Sequence, residues 1–302
     1  MRLPSYKLNM NYYNNDTILY HNGAFEKASE AKMDLYSQSL HYGYSVFEGI
    51  RSYKTESGET KIFKPNAHFE RLKISAESVN LPYTYDLQEL IDATYEVLKR
   101  NEIQDAYIRP VVYAPANMSF APNTISHLFI ETWVMAPFLG EKLLRVMTSS
   151  FQRPNPKAFK IHAKVAGHYV NSILASQEAK ANGFDEALLL DINDHIAEGP
   201  GSNIFFEKDG VLHTPQPGYI LSGITKATVL EICGQLNIQV VEGEYTIDQL
   251  KAADSVFYCG TAAEVIGWES LDDTVYPISW PDALGSKIQK AYSDLVHEKL
   301  PS

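Results

Sequence analysis

The chain has 302 residues, 45% of them hydrophobic, which is enough for about two domains with real cores and unlike any disordered, collagenous or fibrous composition. Lys and Arg total 26 against 37 Asp and Glu, a net charge of −11. That balance excludes nucleic acid and anionic membrane as main partners, since both require a surplus of cations, and it leaves a small-molecule enzyme or a protein-binding module.

The first 16 residues are polar and tyrosine-rich rather than signal-like, and no apolar run approaches the ~18 residues of a membrane span, so a cytoplasmic location and no membrane partner are expected. Thr17–Tyr20, His21-Asn22-Gly23 and Ala24–Phe25 predict a hairpin with a type I′ turn. Ser45–Tyr53, a turn at Glu56-Ser57-Gly58, and Lys61–Lys64 read as two strands. Asn66 is placed to cap a helix from Ala67 to Val79, and a second helix covers Asp86 to Arg100, with Leu87, Leu90, Ile91, Tyr95 and Leu98 on one face. Two strands follow, Tyr107–Tyr113 and His127–Val134. Pro137 and Gly140 mark residues 135–141 as a hinge between a small N-terminal α/β domain, 1–134, and a larger one, 142–302.

In the second half, Val170–Asn182 predicts a helix ended by Gly183, and Glu186–Asp191 a strand. Asp209-Gly210 turns a hairpin between Ile204–Glu207 and Val211–Thr214. A helix over Thr225–Leu236, strands at Gln239–Val241 and Ser255–Cys259, and a helix from about Pro281 to Leu300 complete an α/β (α+β) chain. Cys233 and Cys259 lie in apolar stretches without metal-type spacing, so they read as buried thiols and no metal is expected. The sequence has no G-x-G-x-x-G, Walker A, G-x-S-x-G or H-E-x-x-H pattern, which removes the usual support for dinucleotide, P-loop, α/β-hydrolase and zincin chemistry.

Four kinds of element can carry chemistry. Lys164 sits among small and apolar residues in Ala163-Lys164-Val165-Ala166-Gly167-His168-Tyr169, directly before a helix. Desolvation there favours a neutral, nucleophilic amine, and Tyr169 lies close enough to offer a phenol; a plain helix-edge lysine is the alternative. Glu198 enters the glycine-rich turn Glu198-Gly199-Pro200-Gly201-Ser202-Asn203, either as a carboxylate for a cationic ring nitrogen or as a solvated turn residue. Ser222-Gly223-Ile224-Thr225 and Cys259-Gly260-Thr261-Ala262-Ala263 can cradle anions with backbone N–H groups, or simply cap helices. In the first half, Arg71 on a helix and Arg109 inside an apolar strand are candidates for phosphate and carboxylate pairing, with a structural salt bridge as the other reading of Arg109.

Taken together, His41–Arg51 (HYGYSVFEGIR), Tyr107–Pro110 (YIRP), Ala163–Tyr169 (AKVAGHY), Glu198–Phe205 (EGPGSNIF), Ser222–Thr225 (SGIT) and Gly260–Glu264 (GTAAE) resemble the fold-type IV pyridoxal-phosphate enzymes, and among them the bacterial branched-chain amino acid aminotransferases. The resemblance runs from about Tyr20 to Glu264 with the motifs in family order. It implies a large cofactor-binding domain with a barrel-like sheet and flanking helices. It implies that Lys164 carries pyridoxal 5′-phosphate as a Schiff base, with Tyr169 on the phenolic oxygen and Glu198 on the ring nitrogen. Arg71, the Ile224 and Thr225 amides and Thr261 would hold the phosphate. Tyr107 with the Thr261 and Ala262 amides would hold the substrate α-carboxylate, and Arg109 the distal carboxylate of glutamate. Tyr42, Phe47 and Tyr169 would line the side-chain pocket.

The implied substrates are leucine, isoleucine and valine with 2-oxoglutarate, and the implied assembly is a homodimer or larger homo-oligomer. A D-amino acid aminotransferase, an aminodeoxychorismate-type lyase and a non-catalytic binding module stand as alternatives. The segment 135–140, the Asn117–Phe120 loop and His168 depart from the family pattern, and these departures touch pocket walls rather than the cofactor.

Overall fold

The computed structural model describes residues 12–135, 139 and 142–299. Most of the expected hinge, at 136–138, 140 and 141, lies outside the described residues.

The first sheet has seven strands: β1 (Ile18–His21), β2 (Ala24–Lys27), β3 (Ser45–Phe47), β4 (Ile50–Lys54), β5 (Thr60–Ile62), β6 (Ala106–Tyr113) and β7 (His127–Trp133). Their order is β2-β1-β7-β6-β4-β5, with β3 pairing β6, and every pairing is antiparallel. The β1–β2 turn has Asn22 at φ 49° and Gly23 at φ 91°, as the Asn-Gly pair requires. Helix α1 (Gln38–Tyr42) precedes β3, while α2 (Pro65–Ser78) and α3 (Leu87–Arg100) cover one face of the sheet. Phe69 and Leu72 of α2 and Val97 of α3 are wholly buried in that core, each apolar side chain contributing about 1.5–3 kcal/mol by leaving water.

The second sheet has nine strands: β8 (Leu144–Gln152), β9 (Glu186–Leu190), β10 (Ile196–Glu198), β11 (Asn203–Lys208), β12 (Val211–Pro215), β13 (Val240–Gly243), β14 (Ser255–Gly260), β15 (Glu264–Leu271) and β16 (Thr274–Val275). The path β10-β9-β8-β15-β14-β11 returns on itself because β10 also pairs β11, so six strands close a barrel. Tyr258, Trp268, Ile204 and Val256 belong to one buried cluster of this sheet. The helices α4 (Tyr169–Ala181), α5 (Ile224–Gln235), α6 (Ile247–Lys251) and α7 (Leu284–Val296) flank it. No helix among the described residues is long and apolar enough to cross a membrane.

Four local expectations change. The Ser45–Tyr53 strand is two strands, broken at Glu48-Gly49, where a Cβ on Gly49 would collide with the Tyr107 hydroxyl. The helix expected from Ala67 starts at Pro65, with Lys64 rather than Asn66 at its N-cap; proline needs no N–H at the first helical position. Glu198 ends strand β10 instead of lying in the turn beyond it, and α5 begins at Ile224 rather than Thr225. Strands β8, β10, β15 and β16, with helices α1 and α6, are additional to the sequence reading. β8 (LRVMTSSFQ) alternates too irregularly between buried and exposed positions to show a period of two.

Candidate functional site

Lys164 is placed by its neighbours. Ala163 and Val165 are buried in the core of the first sheet, and Val46 of β3 bridges to Val165. Extended backbone alternates its side chains, so Lys164 points away from that core and into a cleft. Its amide donates to Ser75 Oγ at 3.0 Å, and its carbonyl accepts from Phe47 N at 3.1 Å. A close approach of Gly43 and Gly167 fixes the next residues: a Cβ on Gly43, itself at φ +66°, would stand 2.7 Å from the Gly167 Cα. Lys164 Nζ donates to the Tyr169 hydroxyl at 2.6 Å, and the Phe47 ring packs edge-on against Tyr169 at 4.8 Å.

The cleft is lined by Arg71, Lys164, Tyr169, Glu198, Ile224, Thr225 and Thr261, seven of the residues singled out from the sequence. Arg153, His168, Asn203 and Cys259 also line it. One end is the start of α5, whose N-cap Gly223 supplies no side-chain acceptor, leaving the first-turn amides of Ile224 and Thr225 free to bind an anion. Arg71 points to the same end and donates to the Ser222 carbonyl at 2.9 Å. Its Nε and a terminal nitrogen donate to both oxygens of the buried Glu48 at 2.6 and 2.8 Å, and His68 Nδ1 lies 2.7 Å from the same carboxylate. Burial pushes the Glu48 carboxyl up, but the Arg71 charge and hydrogen bonds and the His68 contact outweigh it and hold Glu48 well below the usual carboxylate range. Burial lowers His68, against the opposing pull of Glu48.

Glu198 stands at the other end, 5% exposed. It accepts from Asn203 Nδ2 at 3.0 Å and from the Leu221 amide at 3.2 Å. Arg153 Nε lies 2.9 Å from Glu198 Oε1, yet its N–H is not aimed at the carboxylate and has no acceptor among the described residues, so the contact is an ion pair without a hydrogen bond. Burial therefore dominates and raises the Glu198 pKa, with Arg153 and the Leu221 amide pulling the other way. A buried carboxylate whose desolvation outweighs its partners is suited to a cationic N–H placed beside it.

The remaining candidates spread beyond the cleft. Tyr107 and Arg109 lie on one face of β6, Arg109 donating to the Tyr107 hydroxyl at 3.2 Å with its guanidinium 4.5 Å over the Phe47 ring. Arg109 Nε is buried without a partner among the described residues, so the guanidinium keeps an unused donor. Ala262 follows Thr261 in the β14–β15 turn without lining the cleft. Tyr42 is 48% exposed at the end of α1, packs against Phe120 and does not line the cleft. Sequence reasoning missed Glu48, His68, Arg153 and Asn203 as site residues. Of these, only Glu48 and Asn203 fall inside the quoted motifs, where their pairing was not legible. No group of His, Cys, Asp and Glu among the described residues could hold a metal ion.

The family model "Amino-transferase class IV" matches residues 45–271. The branched-chain-amino-acid aminotransferase of Pseudomonas aeruginosa is 37% identical over 296 residues, 96% of each chain. That of Escherichia coli K12 is 34% identical over 285 residues, 92% of each. Among solved structures, the branched-chain aminotransferase of the archaeon Thermoproteus uzoniensis with norvaline superposes with a TM-score of 0.90 at 35% identity, covering 94% of this chain and 95% of that one. The pyridoxal-phosphate form of the Thermobaculum terrenum enzyme gives 0.89 at 31% identity, with 95% of each chain covered.

Proposed function

This chain belongs to the class IV aminotransferases, and from that premise we propose that it transfers the amino group of leucine, isoleucine or valine to 2-oxoglutarate, with pyridoxal 5′-phosphate bound in the cleft. One observation carries the reading: Lys164 Nζ, held at 2.6 Å by the Tyr169 hydroxyl, stands in one cleft with an anion-binding helix start and a donor-poor buried carboxylate.

The residues fit the cofactor. Arg71, the Ile224 and Thr225 amides and the hydroxyls of Thr225 and Thr261, which line the cleft, would bind its phosphate, Tyr169 would take its phenolic oxygen, and Glu198 its ring nitrogen. When bound, the cofactor supplies an electron sink for the charge that develops on the substrate α-carbon. Glu198, buried and desolvated, would hold the proton on the ring nitrogen through a charge-assisted hydrogen bond. The Lys164 amine moves the proton at the substrate α-carbon, and Tyr169 fixes the amine's position.

Tyr107, with the Thr261 and Ala262 amides, orients the α-carboxylate common to all substrates. Phe47 and Tyr169 offer an apolar wall to a branched side chain, while the unused donor of Arg109 receives the distal carboxylate of glutamate and 2-oxoglutarate. We take the chain to work as a homodimer or larger homo-oligomer. Leu35, Tyr36, Leu40, Tyr42 and Phe120 form an exposed apolar set that a second copy would cover, bringing Tyr42 to the partner's pocket. We also take residues 1–134 and 142–302 as the two domains, joined by a hinge at 135–141.

A donor screen against 2-oxoglutarate with L- and D-amino acids tests the activity. L-leucine, L-isoleucine and L-valine should turn over fastest. Preference for a D-amino acid, or pyruvate release from aminodeoxychorismate, would replace this reading with another of the same fold.

A further inference from the structure

Between β14 and β15 the chain reverses over Thr261-Ala262-Ala263, with Gly260 paired to Glu264 across the hairpin. The first strand residue after such a reversal, when left-handed, is normally glycine. Here that residue is Glu264 at φ +54°. A side chain in this conformation is disfavoured, so its contacts must hold it there.

Those contacts reach across to the other sheet. Glu264 Oε1 accepts from the Tyr53 hydroxyl at 2.9 Å, and an Arg51 terminal nitrogen lies 3.0 Å from the same oxygen. Arg51 is 9% exposed and Tyr53 2%, and the Arg51 guanidinium sits 5.1 Å over the Tyr53 ring. Both belong to β4, and on the neighbouring strand β6 the residue directly opposite Arg51 is Tyr107. Facing positions of an antiparallel pair project on the same side. One carboxylate thus links the turn that carries the Thr261 and Ala262 amides to the strand pair that carries the Tyr107 hydroxyl.

We propose that Glu264 is a positioning residue for the α-carboxylate site: through Arg51 and Tyr53 it sets the separation between Tyr107 on the first sheet and the 261–262 amides on the second. This rests on the assignment of Tyr107, Thr261 and Ala262 to the substrate α-carboxylate. Every substrate carries that group, so loosening it raises the KM of donor and acceptor alike, while the cofactor, held also by Lys164, Arg71 and the start of α5, remains bound. Tyr53 acts in the same way through its hydroxyl, from the opposite side of the tie.

The test uses holoenzyme and the variants Glu264→Gly, Glu264→Gln, Tyr53→Phe and Tyr107→Phe, with KM and kcat per bound cofactor for L-leucine and 2-oxoglutarate. Glycine accepts the left-handed backbone, so Glu264→Gly removes the tie and leaves the turn unstrained. Its KM should rise about 10-fold for both substrates with kcat within about 3-fold, equivalent to ~1.4 kcal/mol of uniform binding. Glu264→Gln, which keeps an acceptor for Tyr53, should recover part of that loss, and Tyr53→Phe should show a smaller rise of the same kind. An unchanged KM in Glu264→Gly, with Tyr107→Phe impaired, would overturn the positioning role and leave the carboxylate assignment standing. Unchanged KM in both variants would overturn the assignment itself, and the positioning role with it.

Discussion

The two ends of the cleft each bury a glutamate beside an arginine, and they differ in how fully the carboxylate is satisfied. Glu48 accepts two hydrogen bonds from Arg71 and faces His68, and its pKa is pushed down. Glu198 has an arginine 2.9 Å away whose N–H points elsewhere, together with one side-chain amide and one backbone amide, and its pKa is pushed up. The same pair of residue types therefore serves two ends. At the phosphate end the pair is closed and fixes where Arg71 stands. At the ring end it is left open, and the capacity it keeps is what the proposed chemistry uses. Satisfaction of hydrogen bonds, rather than residue identity, separates a scaffold carboxylate from a working one.

The largest effect should come from the residue that both ends serve. Lys164→Ala should remove the visible absorption of bound pyridoxal phosphate and lower turnover by at least about 10⁴-fold, the upper range for losing a positioned proton-transfer group. Peptide mapping after borohydride reduction should find the cofactor on Lys164, and recovery on another lysine would dissolve the comparison altogether.

Next comes the open end. Glu198→Gln should cut kcat by about 10²- to 10³-fold, ~3–4 kcal/mol of charge stabilisation, with cofactor affinity changed far less, because the phosphate anchors are untouched. Near-normal turnover in this variant would mean that the open carboxylate is no more than scaffold.

Replacing Arg109 with Leu sharpens the comparison on the substrate side. The loss of a charge-assisted pair worth ~2–3 kcal/mol should lower kcat/KM for glutamate and 2-oxoglutarate by about 30- to 150-fold. The leucine half-reaction, which brings no distal carboxylate, should fall much less in stopped-flow measurements. Equal losses for both would make Arg109 structural.

The smallest catalytic effect belongs to the closed end. Glu48→Gln should change kcat by only a few-fold at saturating cofactor, while the melting temperature falls, because Arg71 loses a buried countercharge. The pH dependence has a definite sign. Glu48 titrates lower in the folded chain than the ~4.3 of an unfolded glutamate. Its stabilisation is therefore complete above that value and is lost as pH falls below it. Wild type should lose stability through this window more steeply than Glu48→Gln, and parallel acid limbs would show that Glu48 makes no such contribution.

Much of the site was legible along the chain because its parts are local. A lysine flanked by alternating core residues, a glycine before a helix start, and a glycine-rich turn each declare themselves within a few residues. The same holds for the Asn22-Gly23 turn, whose backbone angles depend on neighbours in sequence. In the helix expected over 170–182, by contrast, the apolar Val170, Ile173 and Leu174 are exposed, with Ala175 and Ala179 buried instead. Closure of the barrel was not legible from composition or period. It rests on β10 pairing both β9 and β11, and on the parallel insertion of β8 between β9 and β15, which no local pattern encodes.

Residue identity alone determined that Lys164, Glu198 and Arg71 were available for this chemistry, since an amine, a carboxylate and a guanidinium carry their reactivity wherever they stand. Which acid each arginine meets was decided only by the tertiary structure. Arg71 pairs with Glu48 across a helix and a strand end, Arg153 approaches Glu198 without bonding it, and Glu264 reaches Arg51 and Tyr53 on the other sheet. The physical reason is that charge–charge energy and desolvation depend on distance and burial in three dimensions. Neither quantity is a property of sequence spacing, so the role of each carboxylate emerges only once the two sheets have packed around it.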